Sequence, residues 1–445
     1  MLEKNSEHII DITGTGADGE GVGRKDGFAV FVPFALLGEK VKIKILKSQK
    51  TYAFGKLLEV VEPSKHRTEP KCKYFYKCGG CSFWHADYKA ELEYKTQKVV
   101  DCIKRIGGLD AEVLQTIGGE SCERYRNKAQ FPVTPEGIGF FAQRSHRLIS
   151  INDCIIQNEV NEEILNTVRE FMFEFAIRPY DETQHIGDIR HIFTRVAEET
   201  GEIMVCIVTR AKKLRHSDEL VKRLCEVNSN IVSIIQNINQ EKTNVALGST
   251  SILLYGKPFI KDKIGDLQFE ISPHSFYQVN HKQTKVMYDK VVEFAGLTEL
   301  DTVFDLYCGI GTISLYVAQY AKKVVGVECV EQAVLDARKN AELNGITNAE
   351  FHIGNAEEIA HTLGNADVVI VDPPRKGCDE KLLKTIAKIA PKRVVYVSCN
   401  PATLARDLKI LKELGYIANT IQPVDMFPRS PHVECLVLLY NGSET

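Results

Sequence analysis

The sequence predicts an α/β protein in three parts that closes on a parallel, doubly wound sheet. Three observations carry this. From about residue 280 the chain repeats strand, loop, helix, and its unusual motifs fall where the strands end. Residues 1–62 instead read as five short strands separated by tight turns, the pattern of a small barrel. Between them, from about 124 to 265, strands and helices alternate without a catalytic pattern.

In the first part, Ile9–Ile12 precedes a glycine-rich turn from Gly14 to Gly23, and apolar runs follow at 28–34, 39–46 and 52–62. Lys40–Leu46 alternates basic and apolar residues, which marks a half-buried strand with one basic face. Residues 40–67 carry eight Lys or Arg against two acids, although the whole chain has a net charge of −3. Smaller basic groups surround Arg124, Arg126 and Lys128, and Arg210, Lys212, Lys213 and Arg215. Charge placement, not net charge, therefore points to a polyanionic partner. Barrels of the OB type bind single strands along a basic face, so Lys42 and Lys44 are expected to meet nucleic acid.

At 445 residues the chain is long enough for two or three domains. Apolar residues at 44% and charged residues at 26% fit a globular protein and exclude a disordered one. The start, MLEKNSEHII, lacks the apolar stretch of a signal peptide, and no run of about 18 apolar residues predicts a membrane span. A cytoplasmic monomer without membrane association is expected. Thirteen cysteines, an odd number without a secretory signal, argue against a disulfide framework. Cys72, Cys78 and Cys81 cluster, and metal binding or catalysis is the better account of such a group.

In the last part a helix is expected over 281–295. Strand Thr302–Leu306 then leads into the turn Tyr307-Cys-Gly-Ile-Gly-Thr312, strand Lys323–Val327 ends at Glu328, and strand Ala349–Ile353 ends at Gly354-Asn-Ala356. Strand Asp367–Val371 ends at Asp372-Pro-Pro-Arg375, and strand Arg393–Val397 ends at Ser398-Cys-Asn-Pro401. Ligands of such sheets bind at the carboxyl ends of the strands. The glycine turn lets a ligand approach the backbone, and an acid at the end of the next strand, Glu328, can accept from ribose hydroxyls. Ser314 stands where a dinucleotide fingerprint would carry another glycine. An acid, a glycine turn and a second acid suit an adenosine ligand without pyrophosphate, such as S-adenosylmethionine, better than NAD. The two prolines after Asp372 fix a loop able to frame a flat base.

Cys399 and Glu434 complete a chemistry. Carbon 5 of uracil is a poor nucleophile toward a methyl sulfonium. A thiolate added at carbon 6 makes carbon 5 electron-rich, and a base must then remove the carbon-5 proton so that the thiol can leave. One Cys and one carboxylate are needed in one pocket, the thiol must ionise, and the target base must leave its stack.

These motifs resemble the RNA 5-methyluridine methyltransferase family along nearly the whole chain. The resemblance implies a Rossmann-like class I S-adenosylmethionine-dependent methyltransferase domain at 269–445, an OB-like TRAM β-barrel at 1–63, and a central α/β domain carrying an iron–sulfur cluster at 64–268. Ser272–Asn280 resembles the segment entering the catalytic domain, which implies that Gln278 contacts the cofactor. The 305–312 motif implies the same of Tyr307, Gly309 and Thr312. Glu328 would hold the ribose, Asn355 would lie near the adenine and Asp372 near the reaction centre. Ser398-Cys-Asn-Pro resembles the nucleophile motif, so Cys399 takes that role, and Phe427–Glu434 resembles the base motif, so Glu434 takes the other. In the TRAM-bearing ribosomal branch a like set of cysteines holds a 4Fe–4S cluster, which implies Cys72, Cys78, Cys81 and, through the match of Asn152-Asp-Cys, Cys154. That branch makes 23S ribosomal RNA the expected substrate and transfer RNA the alternative. Trp84 departs from the glutamine more common in relatives, with an expected effect on packing near the cluster.

Other classes fit less well. A radical enzyme would space its first two cysteines more closely than Cys72 and Cys78. An inactive RNA-binding scaffold would not need both Cys399 and Glu434. A cytosine methyltransferase would share the thiolate, and base-edge readers cannot be deduced from spacing.

Overall fold

The computed structural model describes residues 2–442. Strands Glu7–Thr15, Gly21–Lys25, Phe28–Val32, Lys40–Ser48 and Tyr52–Glu62 close into a barrel in which the first strand pairs with the second and fourth. The alternation of the fourth strand is realised in full: Val41, Ile43 and Ile45 fill the interior with Ile10, Ile12, Val30 and Val32, while Lys40, Lys42 and Lys44 point outward.

The middle region is a seven-stranded sheet with strand Ile203–Thr209 near its centre. Every residue of that strand is buried, because both faces are covered. Ile203, Val205 and Ile207 pack under helices Val160–Glu174 and Ser217–Val227. Met204, Cys206 and Val208 pack into a core shared with the hairpin Ile260–Ile271 and helix His281–Ala295 of the last part.

The last part is an eight-stranded sheet. Strands Ala349–Ile353, Lys323–Glu328, Thr302–Leu306, Val368–Val371 and Arg393–Ser398 run parallel in that spatial order. Strand Glu434–Asn441 then joins antiparallel to Arg393–Ser398, followed by Tyr416–Val424. The outermost strand, Glu112–Val113, comes from the middle stretch of the sequence and pairs parallel with Thr420 and Ile421. Two residues carry no periodicity, so the sequence does not advertise it.

Helix Tyr88–Cys102 ties these parts together. Asp87 caps it by accepting from the Ala90 N–H, and it buries Glu91, Lys95 and Val99, spaced four apart on one face. The Lys95 ammonium, with no exposed surface, donates to Glu91 at 2.7 Å, to Asp425 at 2.6 Å and to the Phe427 carbonyl at 3.2 Å. The Tyr88 hydroxyl donates to the other oxygen of Asp425 at 2.8 Å. Tyr94 and Lys98, one turn apart, donate to carbonyls of the barrel turn at Gly16 and Ala17. Gly19 of that turn has a positive φ of 85°, and a β-carbon there would run into the Phe83 ring.

Removing one member of a buried charge group leaves the others unpaired, which costs about 3–5 kcal/mol. Lys95→Met is therefore expected to lower stability by that amount, read as a shift of the urea unfolding midpoint. A midpoint within error of the parent chain would contradict the role given to this ammonium.

Candidate active site

The site is built by strand register. Arg393–Ser398 and Glu434–Asn441 pair antiparallel from Arg393 opposite Tyr440 to Ser398 opposite Cys435. One step further along this register sets Cys399 opposite Glu434, at the carboxyl end of one strand and the start of the other. On the other side, Val371 pairs with Tyr396, so Asp372 emerges beside the same end. Asn400 caps the helix after Cys399 by accepting from the Ala402 N–H, with Pro401 in the first turn.

Electrostatics link these side chains. Burial, then the carboxylates of Glu434 and Asp372, push the half-buried Cys399 thiol up to about 11, and the Arg375 guanidinium opposes them. Burial pushes Glu434, 4% exposed, up to about 8, with Asp372 adding to the rise and Arg375 again opposing. Asp372 rises to about 7 through burial and the charge of Asp305, and buried Asp305 rises to about 6. The crevice thus holds carboxyls that exchange protons near neutral pH beside a thiol whose ionisation needs a neighbouring cation.

A cavity of about 1060 Å³ opens over Cys399. The barrel lines it with Thr13–Gly19 and Ala35–Leu37, helix Tyr88–Cys102 with Tyr94 and Lys98, and the sheet ends with Arg375, Asn400 and His432. The strand of Lys42 and Lys44 does not line it, and Lys42 is paired with Glu7 at 2.8 Å. The barrel presents its glycine-rich turn to the cavity, and Tyr94 and Lys98 hold that turn.

The adenosine-type crevice lies along the neighbouring strand ends. Tyr307 adopts a left-handed φ of 88°, and its N–H donates to the Val327 carbonyl at 2.9 Å. Gly309, at φ 54°, donates its N–H to Glu328 at 3.2 Å, and a β-carbon there would meet open space. The other Glu328 oxygen accepts from the Val330 N–H at 2.9 Å. Asp305 accepts from Ser314 at 2.5 Å, and its second oxygen is buried without a partner. Asn355 is exposed after Gly354 and makes no capping bond with its side chain. The Thr312 hydroxyl is engaged elsewhere, accepting from Tyr288 at 2.7 Å. Gln278 is buried, and its carbonyl accepts from Asn127 of the middle sheet at 2.9 Å.

Cys72, Cys78, Cys81 and Cys154 gather beside an apolar patch of Phe75, Trp84 and Ile156. Burial first, then mutual repulsion, pushes Cys154 up to about 12 and Cys81 further. Cys122 touches the same patch but faces Arg429, Glu91 and Asp425, not the other thiols. Trp84 is 3% exposed and packs within the patch. Among the described residues no three His, Cys, Asp or Glu side chains converge to hold a single metal ion. Thiolates are the ligands that iron–sulfur clusters take.

Sequence reasoning assigned no role to Arg375, Lys98 or Arg429. Arg375 stands in the motif after Asp372 and could have been read from it. The other two act through partners hundreds of residues away.

Comparisons with known proteins agree with this layout. The profile of the tRNA (uracil-5-)-methyltransferase family matches residues 87–442, and that of the TRAM domain matches 3–58. An uncharacterized RNA methyltransferase of Clostridium tetani is 49% identical, covering 100% of this chain and 98% of its own. One of Halalkalibacterium halodurans is 48% identical, covering 98% of each. The structure of Pyrococcus abyssi tRNA (uracil-54, C5)-methyltransferase in complex with S-adenosyl-L-homocysteine matches with a TM-score of 0.81 at 30% identity, over 98% of this chain and 100% of that one.

Glu434 carries a stability consequence. Its folded-state value near 8 exceeds the ordinary 4.5, so between these the folded state holds a proton that the unfolded state has lost. That contribution is present below 4.5 and is lost as pH rises toward 8. Glu434→Gln removes the ionisation and is expected to raise the melting temperature, more above about pH 8 than below about pH 4.5. A gain of equal size at both ends would contradict the burial account.

Proposed function

The chain belongs to the tRNA (uracil-5-)-methyltransferase family, and from that premise we propose that it methylates carbon 5 of a uridine in RNA, with S-adenosylmethionine as donor. The observation that carries the reading is the register that ends with Ser398 opposite Cys435, which brings Cys399 and Glu434 to one end of the sheet, with Cys399 lining a cavity roofed by the barrel. S-adenosylmethionine supplies an electrophilic methyl group when bound. The backbone opening at Gly309, the Glu328 carboxylate and the unpartnered oxygen of Asp305 suit its adenosine and amino-acid parts. Gln278, Tyr307, Thr312, Asn355 and Asp372 complete the proposed binding set.

The Cys399 thiol releases its proton to solvent in the cavity, an ionisation the Arg375 charge favours, and the thiolate sulfur bonds to carbon 6 of uracil. Electrons shift to the carbonyl oxygen and carbon 5 becomes the nucleophile. Once carbon 5 carries the methyl group, Glu434 takes its remaining proton, and the returning electron pair expels the thiolate of Cys399. Burial makes the ionised form of Glu434 a stronger base, and the Arg375 charge favours that form.

Residues 1–63, 64–268 and 269–445 act as TRAM barrel, central domain and catalytic domain in this reading. Cys72, Cys78, Cys81 and Cys154 hold a 4Fe–4S cluster in it. We take 23S ribosomal RNA as substrate of a cytoplasmic, monomeric enzyme, on the combination of barrel and thiols. A second reading, transfer RNA, is supported by the likeness to the Pyrococcus abyssi enzyme. Among the described residues no helix is long and apolar enough to cross a membrane.

Cys399→Ala is expected to abolish methyl transfer while changing affinity for S-adenosylmethionine by less than about threefold, because the thiol acts on the base alone. Glu434→Gln is expected to trap a methylated protein–RNA adduct that survives denaturing electrophoresis. A Cys399→Ala chain that still methylates, or a Glu434→Gln chain that turns over normally, would overturn these roles.

A further inference from the structure

The loop that delivers Glu434 is held by the segment that carries the thiols, and one residue, Arg429, is tied to that segment through both its backbone and its side chain. Arg429 stands five residues before Glu434, in the turn Phe427–Ser430, at a left-handed φ of 70° that a non-glycine residue keeps only under constraint. Its carbonyl accepts from the N–H groups of Ser82, at 2.7 Å, and Phe83, at 3.3 Å, the two residues after Cys81. Its own N–H donates to Glu91 at 2.7 Å. Its guanidinium donates to the carbonyls of Phe83, at 3.3 Å, and Ala86, at 3.0 Å, and lies 4.7 Å from the Trp84 ring centre. One residue earlier, the Pro428 carbonyl accepts from Tyr125 at 3.0 Å, and Tyr125 packs on the same apolar patch as Cys81 and Cys154. At the far end, Lys98 donates to the Pro431 carbonyl at 2.8 Å and to the barrel at Ala17.

We propose that Arg429 is a positioning residue. It locks the turn before Glu434 onto the segment Cys81–Ala86, so that the aim of the base depends on the conformation of the thiol-bearing segment. Arg429 does not line the cavity over Cys399, so its action passes through the backbone of the loop. The inference rests on the functional reading above, in which Cys399 addition comes first and Glu434 acts last. Misplacing a reacting group by about 1 Å costs about 10²-fold in rate. A displaced base stalls the reaction after methyl transfer, with Cys399 still bonded to carbon 6.

The test uses the full chain with Arg429→Met, Arg429→Lys and Glu434→Gln, assayed on the RNA that the unsubstituted chain methylates. Arg429→Met is expected to lower kcat roughly ten- to a hundredfold with little change in KM for RNA, and to accumulate the methylated, denaturation-resistant adduct seen with Glu434→Gln. Amide hydrogen exchange over residues 425–434 should quicken, while Arg429→Lys, which keeps the charge, should recover part of the rate. Normal turnover by Arg429→Met, or a slowed variant without adduct where Glu434→Gln forms one, would overturn the proposal. If Arg429→Met does not fold, Arg429→Lys decides by the same criteria: slow turnover with adduct supports it, and normal turnover or slow turnover without adduct overturns it. Absence of methyl transfer by the unsubstituted chain would overturn the functional reading, and this inference with it.

Discussion

One antiparallel pairing at the edge of a parallel run fixes the chemistry of this molecule. Side chains in a strand alternate faces, so a slip of one residue between Arg393–Ser398 and Glu434–Asn441 would turn Glu434 away from Cys399. Burial defends the register. Val394 to Ser398 on one strand and Glu434 to Leu439 on the other are buried, with alternate residues in two separate cores, so a slip would force both cores to repack. In the proposed mechanism the placement of thiol and base would thus rest on strand packing together with the hold on the loop before Glu434.

The same burial has a cost that the site uses. Glu434, Asp372 and Asp305 all sit in a low-dielectric crevice, and each holds its proton more tightly than in water. Such groups destabilise the folded state as pH rises, a common feature of sites shaped for reaction. Arg375 is the cation set against them, and it favours the ionised forms of both Cys399 and Glu434. Beside the crevice, the fully buried group of Glu91, Lys95 and Asp425 joins helix Tyr88–Cys102 to the chain just before Glu434. A buried ion group gives little net stability, but its directional bonds single out one arrangement of the loop.

The sequence made legible what is local. Alternation in Lys40–Leu46 announced a barrel strand, and apolar runs ending before Tyr307, Glu328, Asp372 and Cys399 announced parallel strands. Glu434 was assigned because the chemistry asks for a base beside Cys399 and because Phe427–Glu434 resembles a base motif. What joins distant stretches was not legible. Lys95 and Asp425 are separated by 330 positions, and neither lies in a pattern that names the other. Nor does the barrel's own sequence show which edge meets the cavity: Tyr94 and Lys98, outside the barrel, hold its glycine-rich turn there. Cys154 stood out only by resemblance, and the structure separates it from Cys122 by which charges each thiol faces.

The central claim is that this geometry makes 5-methyluridine. Transfer of labelled methyl from S-adenosylmethionine to unmodified 23S ribosomal RNA and, in parallel, to transfer RNA, followed by nucleoside analysis, tests it most directly. The account predicts label in 5-methyluridine from ribosomal RNA. Label from transfer RNA alone would keep the chemistry and overturn the substrate. Label in another nucleoside, or none from either RNA, would contradict the roles given to Cys399 and Glu434.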